Sequence, residues 1–121
     1  RRVFQEAVNM VIVRTIDGEM GVLPGHIPLV APLAIGPMTI KKPDGESKAA
    51  VTGGFIEVTA QQVTILTDAA EMAEEIDISR AEAARQRALA RLEKKQADLD
   101  YARAQAALQR AVVRLKVARR E

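Results

Sequence analysis

Apolar residues follow two different rhythms along this chain. As far as residue 67 they come in short runs, at 8–13, 38–41, 49–52, 55–59 and 63–67, rich in β-branched side chains. Runs of that length bounded by glycine, proline and aspartate are marks of strands and hairpins. Asp17-Gly18 closes the first run, and Lys42-Pro43-Asp44-Gly45 follows the second, a turn in which proline presets one backbone angle and aspartate bonds its own backbone. From Ile76 the rhythm becomes helical: Ala81, Ala84, Ala88 and Leu92 recur on one face, the pattern lapses near Gln96-Ala97-Asp98, and Ala104, Leu108, Ala111 and Leu115 resume it. The pattern predicts an α+β chain: a small β domain, sandwich or barrel, over residues 1–70, then an antiparallel two-helix hairpin over 76–121.

Punctuation agrees with the rhythm. Every glycine and proline lies at or before Gly54, and the 67 residues beyond contain neither, as long helices require. Asp77 or Ser79 can cap the first helix, and Ser79 with Glu82 fits the S-x-x-E capping box. The helical seam is mostly alanine, which packs closely but buries little at about 0.8 kcal/mol per methylene. Such a hairpin is marginally stable and able to open. Gly53-Gly54 allows either close backbone approach to a neighbouring strand or a tight turn or bulge, with the turn favoured.

Size and composition narrow the function. A front of about 70 residues buries roughly 60% of its unfolded surface, so neighbours are expected to supply part of its stability. No run approaches the ~18 apolar residues of a membrane helix and no basic-then-apolar leader opens the chain, which points to a soluble intracellular protein. There is no cysteine for disulfide or thiol chemistry, and the single histidine excludes a zinc cluster. The net charge of +2 hides an asymmetry. Residues 1–75 hold 6 Lys and Arg against 10 Asp and Glu, and residues 76–121 hold 12 against 6. A basic half next to an acidic one points to an anionic partner or an acidic protein surface.

The arginines sharpen that inference. Arg80, Arg87 and Arg91 stand at i, i+7 and i+11, and Arg103, Arg110 and Arg114 repeat the spacing. Each set lines one helix face, one residue before the apolar seam, and antiparallel pairing turns the two stripes toward each other. Six guanidiniums on one edge repel unless an anion bridges them, and guanidinium is the side chain best matched to phosphate. The spacing predicts a polyphosphate clamp in the folded hairpin; the plain alternative is a solvated basic face.

Three motifs now stand in order. Gly18-Glu19-Met20-Gly21-Val22-Leu23-Pro24-Gly25-His26-Ile27-Pro28-Leu29 resembles a signature of the F-type ATP synthase epsilon subunit, G-E-L-G-x-x-P-G-H-x-P-L. Thr52-Gly53-Gly54-Phe55-Ile56-Glu57-Val58 resembles the second signature of that family, and Ile76-Asp77-Ile78-Ser79-Arg80-Ala81 is similar to its nucleotide motif, I/L-D-x-x-R-A. The resemblance runs from Gly18 to Ala81 and the helical tail matches it. It implies a β-sandwich followed by a two-helix hairpin, on the central stalk between catalytic head and membrane ring. The implied subunit is not catalytic. It grips the gamma subunit and the membrane rotor ring of c subunits, and its hairpin restrains ATP hydrolysis when it extends into the alpha/beta head. In bacillus-like members the compact hairpin binds ATP. The implied location is the cytoplasmic face of the cell membrane, peripheral, without insertion.

By position, the resemblance places Ile76, Asp77 and Ala81 around adenine with Glu71 nearby, and makes Arg80, Arg87, Arg91, Arg103, Arg110 and Arg114 candidates for the phosphates. ATP, with or without magnesium, is the implied regulatory ligand. A carboxylate at Asp77 can accept from the adenine amino group or serve as a plain helix cap. Glu19 and His26 are the implied contacts to the rotor ring; His26 is equally a histidine satisfied inside a Pro-Gly turn. The family opens with a strand expected before Arg1, so the native chain is expected to continue upstream. Two other classes fit less well. A nucleic-acid-binding hairpin would exploit the basic tail, but Phe4, Phe55 and Tyr101 are the only aromatic residues, too few for stacking platforms. A nucleotide hydrolase would need a phosphate-cradling glycine loop and a magnesium-binding acidic cluster in the helical half, and neither is present.

Overall fold

The computed structural model describes residues 2–4, 10–15, 18–23, 28–59, 63–67, 69–94 and 100–119. Among the described residues seven strands come first: β1 (Arg2–Phe4), β2 (Met10–Thr15), β3 (Gly18–Val22), β4 (Leu29–Lys42), β5 (Gly45–Val58), β6 (Val63–Thr67) and β7 (Ala70–Met72). A 3-10 turn at Ala73–Glu75 leads to α1 (Ile78–Lys94) and α2 (Tyr101–Arg119). The strands form one antiparallel sheet in the order β1-β6-β5-β4-β2-β3, with β7 sharing with β6 the edge of β5 that faces away from β4. Val11, Val13, Met38, Ile40, Val51, Ile56, Val58 and Ile65, drawn from β2, β4, β5 and β6, meet in one core. The sheet therefore folds on itself as a sandwich.

The long hairpin β4–β5 is the spine of that sandwich. Lys42 pairs with Gly45 around Pro43-Asp44, and the ladder runs on to Leu29 and Val58. Sequence rhythm suggests only a short strand at 38–41 and separate strands at 49–52 and 55–59; the structure corrects this to two strands of 14 residues each. Prolines and glycines hide that length. Pro37 falls where the β2–β4 register shifts between Ile12 and Thr15, and Pro32 lies just past the last β2 partner, Leu33. Both positions tolerate the missing backbone donor.

Gly53 and Gly54 mark a corner rather than a turn, which corrects the favoured expectation. Here β5 passes its edge from β7, paired over Ala49–Val51, to β6, paired over Phe55–Val58. Gly54 has φ +114°, and a β-carbon on it would sit 2.0 Å from the Leu66 carbonyl oxygen. Only glycine permits that approach. Beside the corner, the hydroxyls of Thr52 and buried Thr67 both donate to the Ala69 carbonyl, at 3.2 and 2.9 Å.

At the other end, Arg2–Phe4 forms a strand paired antiparallel with Ile65, Leu66 and Thr67. Three residues are too few to show a period of two, and the rhythm assigns none there. Val8 and Asn9 of the first apolar run, and the break at 95–99, lie outside the described residues. Among the described residues no helix is long and apolar enough to cross a membrane.

In β5 three consecutive residues are buried, so both strand faces are covered. Ala49 and Val51 point into the sandwich, while Ala50 joins Ala73, Ile76, Val113 and Val117, with Ile35 and Ala118 at the margin, in a second core. That second core is the seat of the hairpin, and α2 supplies its helical side. Along the helix–helix seam Ala81, Ala88, Ala104, Ala111 and Leu115 are buried as the periodicity predicts, while Ala84, Leu92 and Leu108 are partly exposed.

Candidate functional site

The start of α1 organises the site. The Asp77 carboxylate oxygen Oδ1 accepts the Arg80 amide at 3.1 Å, and the Asp77 carbonyl accepts the Ala81 amide at 3.0 Å. Asp77 is thus the cap, not Ser79, because its side chain stands three residues before a free amide of the first turn. Glu82 does not close a capping box; its carboxylate accepts from Arg85 and Gln86 instead. Those hydrogen bonds, Arg85 first, hold the Glu82 carboxyl below its usual range. On α2, Asp100 caps in the same manner, accepting the Arg103 amide at 3.1 Å.

Between this helix start, β7 and the second half of α2 lies a cleft of about 540 Å³. Glu71, Ile76, Asp77, Arg80, Ala81, Arg87 and Arg114 all line it, joined by Ala69, Glu75 and Ala84. Seven of the ten residues expected at a nucleotide site are therefore brought to one place from three elements and the link between them. Both signs of charge are present. Arg114 Nε donates to Glu71 Oε1 at 2.5 Å, fixing one guanidinium across the cleft from β7. Glu75 Oε1 accepts the Met72 amide at 3.0 Å. Among the described residues neither Arg80 nor Arg87 has a carboxylate partner.

A smaller groove of about 180 Å³ continues along the seam from the shared residues Ala84, Arg87 and Arg114, and gains Arg91 and Arg110. Arg103 lines neither cavity: it is exposed in the first turn of α2, outside the lining that begins there at Ala104. Five of the six striped arginines thus share one edge. Glu19 is exposed on β3 opposite Arg14, more than a strand away from the cleft in the sheet order. His26 lies outside the described residues.

Two groups escape the motif reading. Glu75 lines the cleft from the 3-10 turn that no apolar rhythm marks. Val113 and Val117 seat α2 on the sandwich, and their i, i+4 spacing is a readable signal masked by the seam at 104, 108, 111 and 115. Gln109 adds a side-chain bond to the Ile35 carbonyl at 3.4 Å.

With this geometry in view, the chain matches two family models, described as ATP synthase, Delta/Epsilon chain, beta-sandwich domain over residues 1–73 and long alpha-helix domain over residues 74–119. It is 52% identical over 97 residues to an ATP synthase epsilon chain of Alkalihalophilus pseudofirmus, covering 80% of this chain and 73% of that one. It is 54% identical over 96 residues to that of Bacillus subtilis, covering 79% and 73%. A chain of the Euglena gracilis mitochondrial ATP synthase, in an OSCP/F1/c-ring structure, superposes with a TM-score of 0.80 at 32% identity, covering 95% of this chain and 72% of that one.

Proposed function

The chain belongs to the ATP synthase delta/epsilon chain family, and from that premise we propose that it is a non-catalytic central-stalk subunit of a proton-translocating rotary ATP synthase whose docked hairpin binds ATP as a regulatory ligand. The carrying observation is the cleft that gathers Glu71, Ile76, Asp77, Arg80, Ala81, Arg87 and Arg114. Its acidic end can accept from an adenine amino group, and its arginines can neutralise a triphosphate. Among the described residues no three metal-ligating side chains are gathered, so any magnesium arriving with the nucleotide would be held by its phosphates.

The function follows from what the ligand touches. The cleft exists only while α1 packs on α2 and α2 sits on the sandwich, so a ligand there stabilises the compact hairpin by RT ln(1 + [L]/Kd), about 2.7 kcal/mol at a hundredfold excess over Kd. An undocked hairpin would be free to extend into the alpha/beta head and restrain hydrolysis, while the sandwich holds the gamma subunit and the rotor ring. Glu19 and His26 are proposed for the ring contact. The working place would be peripheral, on the cytoplasmic face of the membrane.

Calorimetric titration of the full chain with ATP tests the reading. Binding that disappears in Arg80→Ala and Arg87→Ala is the expected result. No heat of binding at millimolar ATP would overturn the nucleotide assignment, and an ATPase rate in the assembled head that is indifferent to removal of residues 76–121 would overturn the brake.

A further inference from the structure

The cleft and the groove that continues it differ in charge. The cleft presents Glu71, Glu75 and Asp77 beside its arginines, so it can meet both hydrogen-bond donors and anions. No carboxylate lines the groove: its walls are Arg87 and Arg91 from α1 and Arg110 and Arg114 from α2, over a floor of alanines. Of its four guanidiniums only Arg114 is engaged by a carboxylate among the described residues, that of Glu71 from the neighbouring cleft, and a surface of this kind suits a chain of phosphates. The alanine floor brings the helices close enough for arginines of both to reach the same ligand. Among the described residues neither Arg91 nor Arg110 has a carboxylate partner.

Resting on the nucleotide reading of the cleft, we infer that the groove is an extension subsite for phosphate chains longer than a triphosphate, so that the hairpin binds nucleoside tetraphosphates or linear inorganic polyphosphate in preference to ATP. The nucleoside end sits at the start of α1 and the chain runs along the seam toward the hairpin turn. Arg87 and Arg114, common to both cavities, mark the junction. Because the added phosphates bridge α1 and α2 further from the sandwich, the longer ligand staples more of the hairpin than ATP does.

The test titrates the full chain with ATP, adenosine 5′-tetraphosphate, inorganic tripolyphosphate and inorganic tetrapolyphosphate, in wild type and in Arg91→Gln, with circular dichroism to verify that the helices persist. The expected result is tetraphosphate binding about tenfold tighter than triphosphate binding, as one more charge-assisted contact provides, with Arg91→Gln collapsing that ratio toward one. Adenosine tetraphosphate gaining while tetrapolyphosphate does not would assign the subsite to nucleotides; equal gains would assign it to phosphate chains in general. Tetraphosphates no tighter than triphosphates would overturn the subsite while leaving ATP binding standing. Tetrapolyphosphate binding through Arg91 without any ATP binding would keep the groove and remove the nucleotide reading.

Discussion

The sandwich and the hairpin are held together by different chemistry. In the sandwich, Met38, Ile40, Ile56 and Ile65 are each no more than 1% exposed and lock a sheet whose register is fixed along 14-residue strands. Among the described residues the hairpin closes on alanines and attaches to the sandwich through Val113, Val117, the Arg114–Glu71 ion pair and a hydrogen bond from the Gln109 side chain to the Ile35 carbonyl. Burial scales with apolar area, so the first region is the more firmly held and the second the more easily detached. The cleft lies where the two meet, so the ligand proposed for it would bias only the weaker one.

The sharpest way to break the comparison is at the corner of β5. Gly54→Val should cost about 3 kcal/mol or more, since it forces a β-carbon into the Leu66 carbonyl at a positive φ, and urea denaturation should find the whole chain destabilised. Ile56→Ala should cost about 2–5 kcal/mol by the same assay. Val117→Ala loses about 1.6 kcal/mol of burial, but that loss should appear as easier detachment of the hairpin, with faster amide exchange in α2 and unchanged exchange in β4 and β5. Asp77 separates cap from ligand contact. Asp77→Ser keeps a capping oxygen and should leave helix melting nearly unchanged while ATP binding weakens; Asp77→Ala should lose binding and about 1 kcal/mol of helix stability together. The smallest effect is on acidification. Glu82 titrates below its ordinary value in the folded chain, so its contribution is present above the unfolded pKa and lost as pH falls through the lowered folded value. Glu82→Gln should flatten that small acid-side loss of melting temperature.

What the sequence disclosed follows the same division. Periodicity reports a face, and the arginine stripes are a face, so five of the six reached the predicted edge without any tertiary knowledge. The seam alanines were legible for the same reason. Periodicity fails where one helix serves two neighbours: α2 packs on α1 through one side and on the sandwich through Val113 and Val117, and a single seam cannot represent both. It also fails where glycine and proline sit inside strands. Pro32, Pro37 and the Gly53-Gly54 pair fragment two continuous strands because local punctuation is read without the partner strand that makes those positions tolerable. The helix start was legible as a choice of cap between Asp77 and Ser79, and the Arg80 amide had to be seen to settle it on Asp77.

Amide hydrogen exchange of the full chain, with and without saturating ATP, tests the central claim most directly. The account predicts exchange slowed by up to about a hundredfold in α1 and α2 at a hundredfold excess over Kd, with the core of β2, β4, β5 and β6 unaffected. Protection spread evenly over sandwich and helices, or helices that exchange at the same rate with and without ATP, would contradict it.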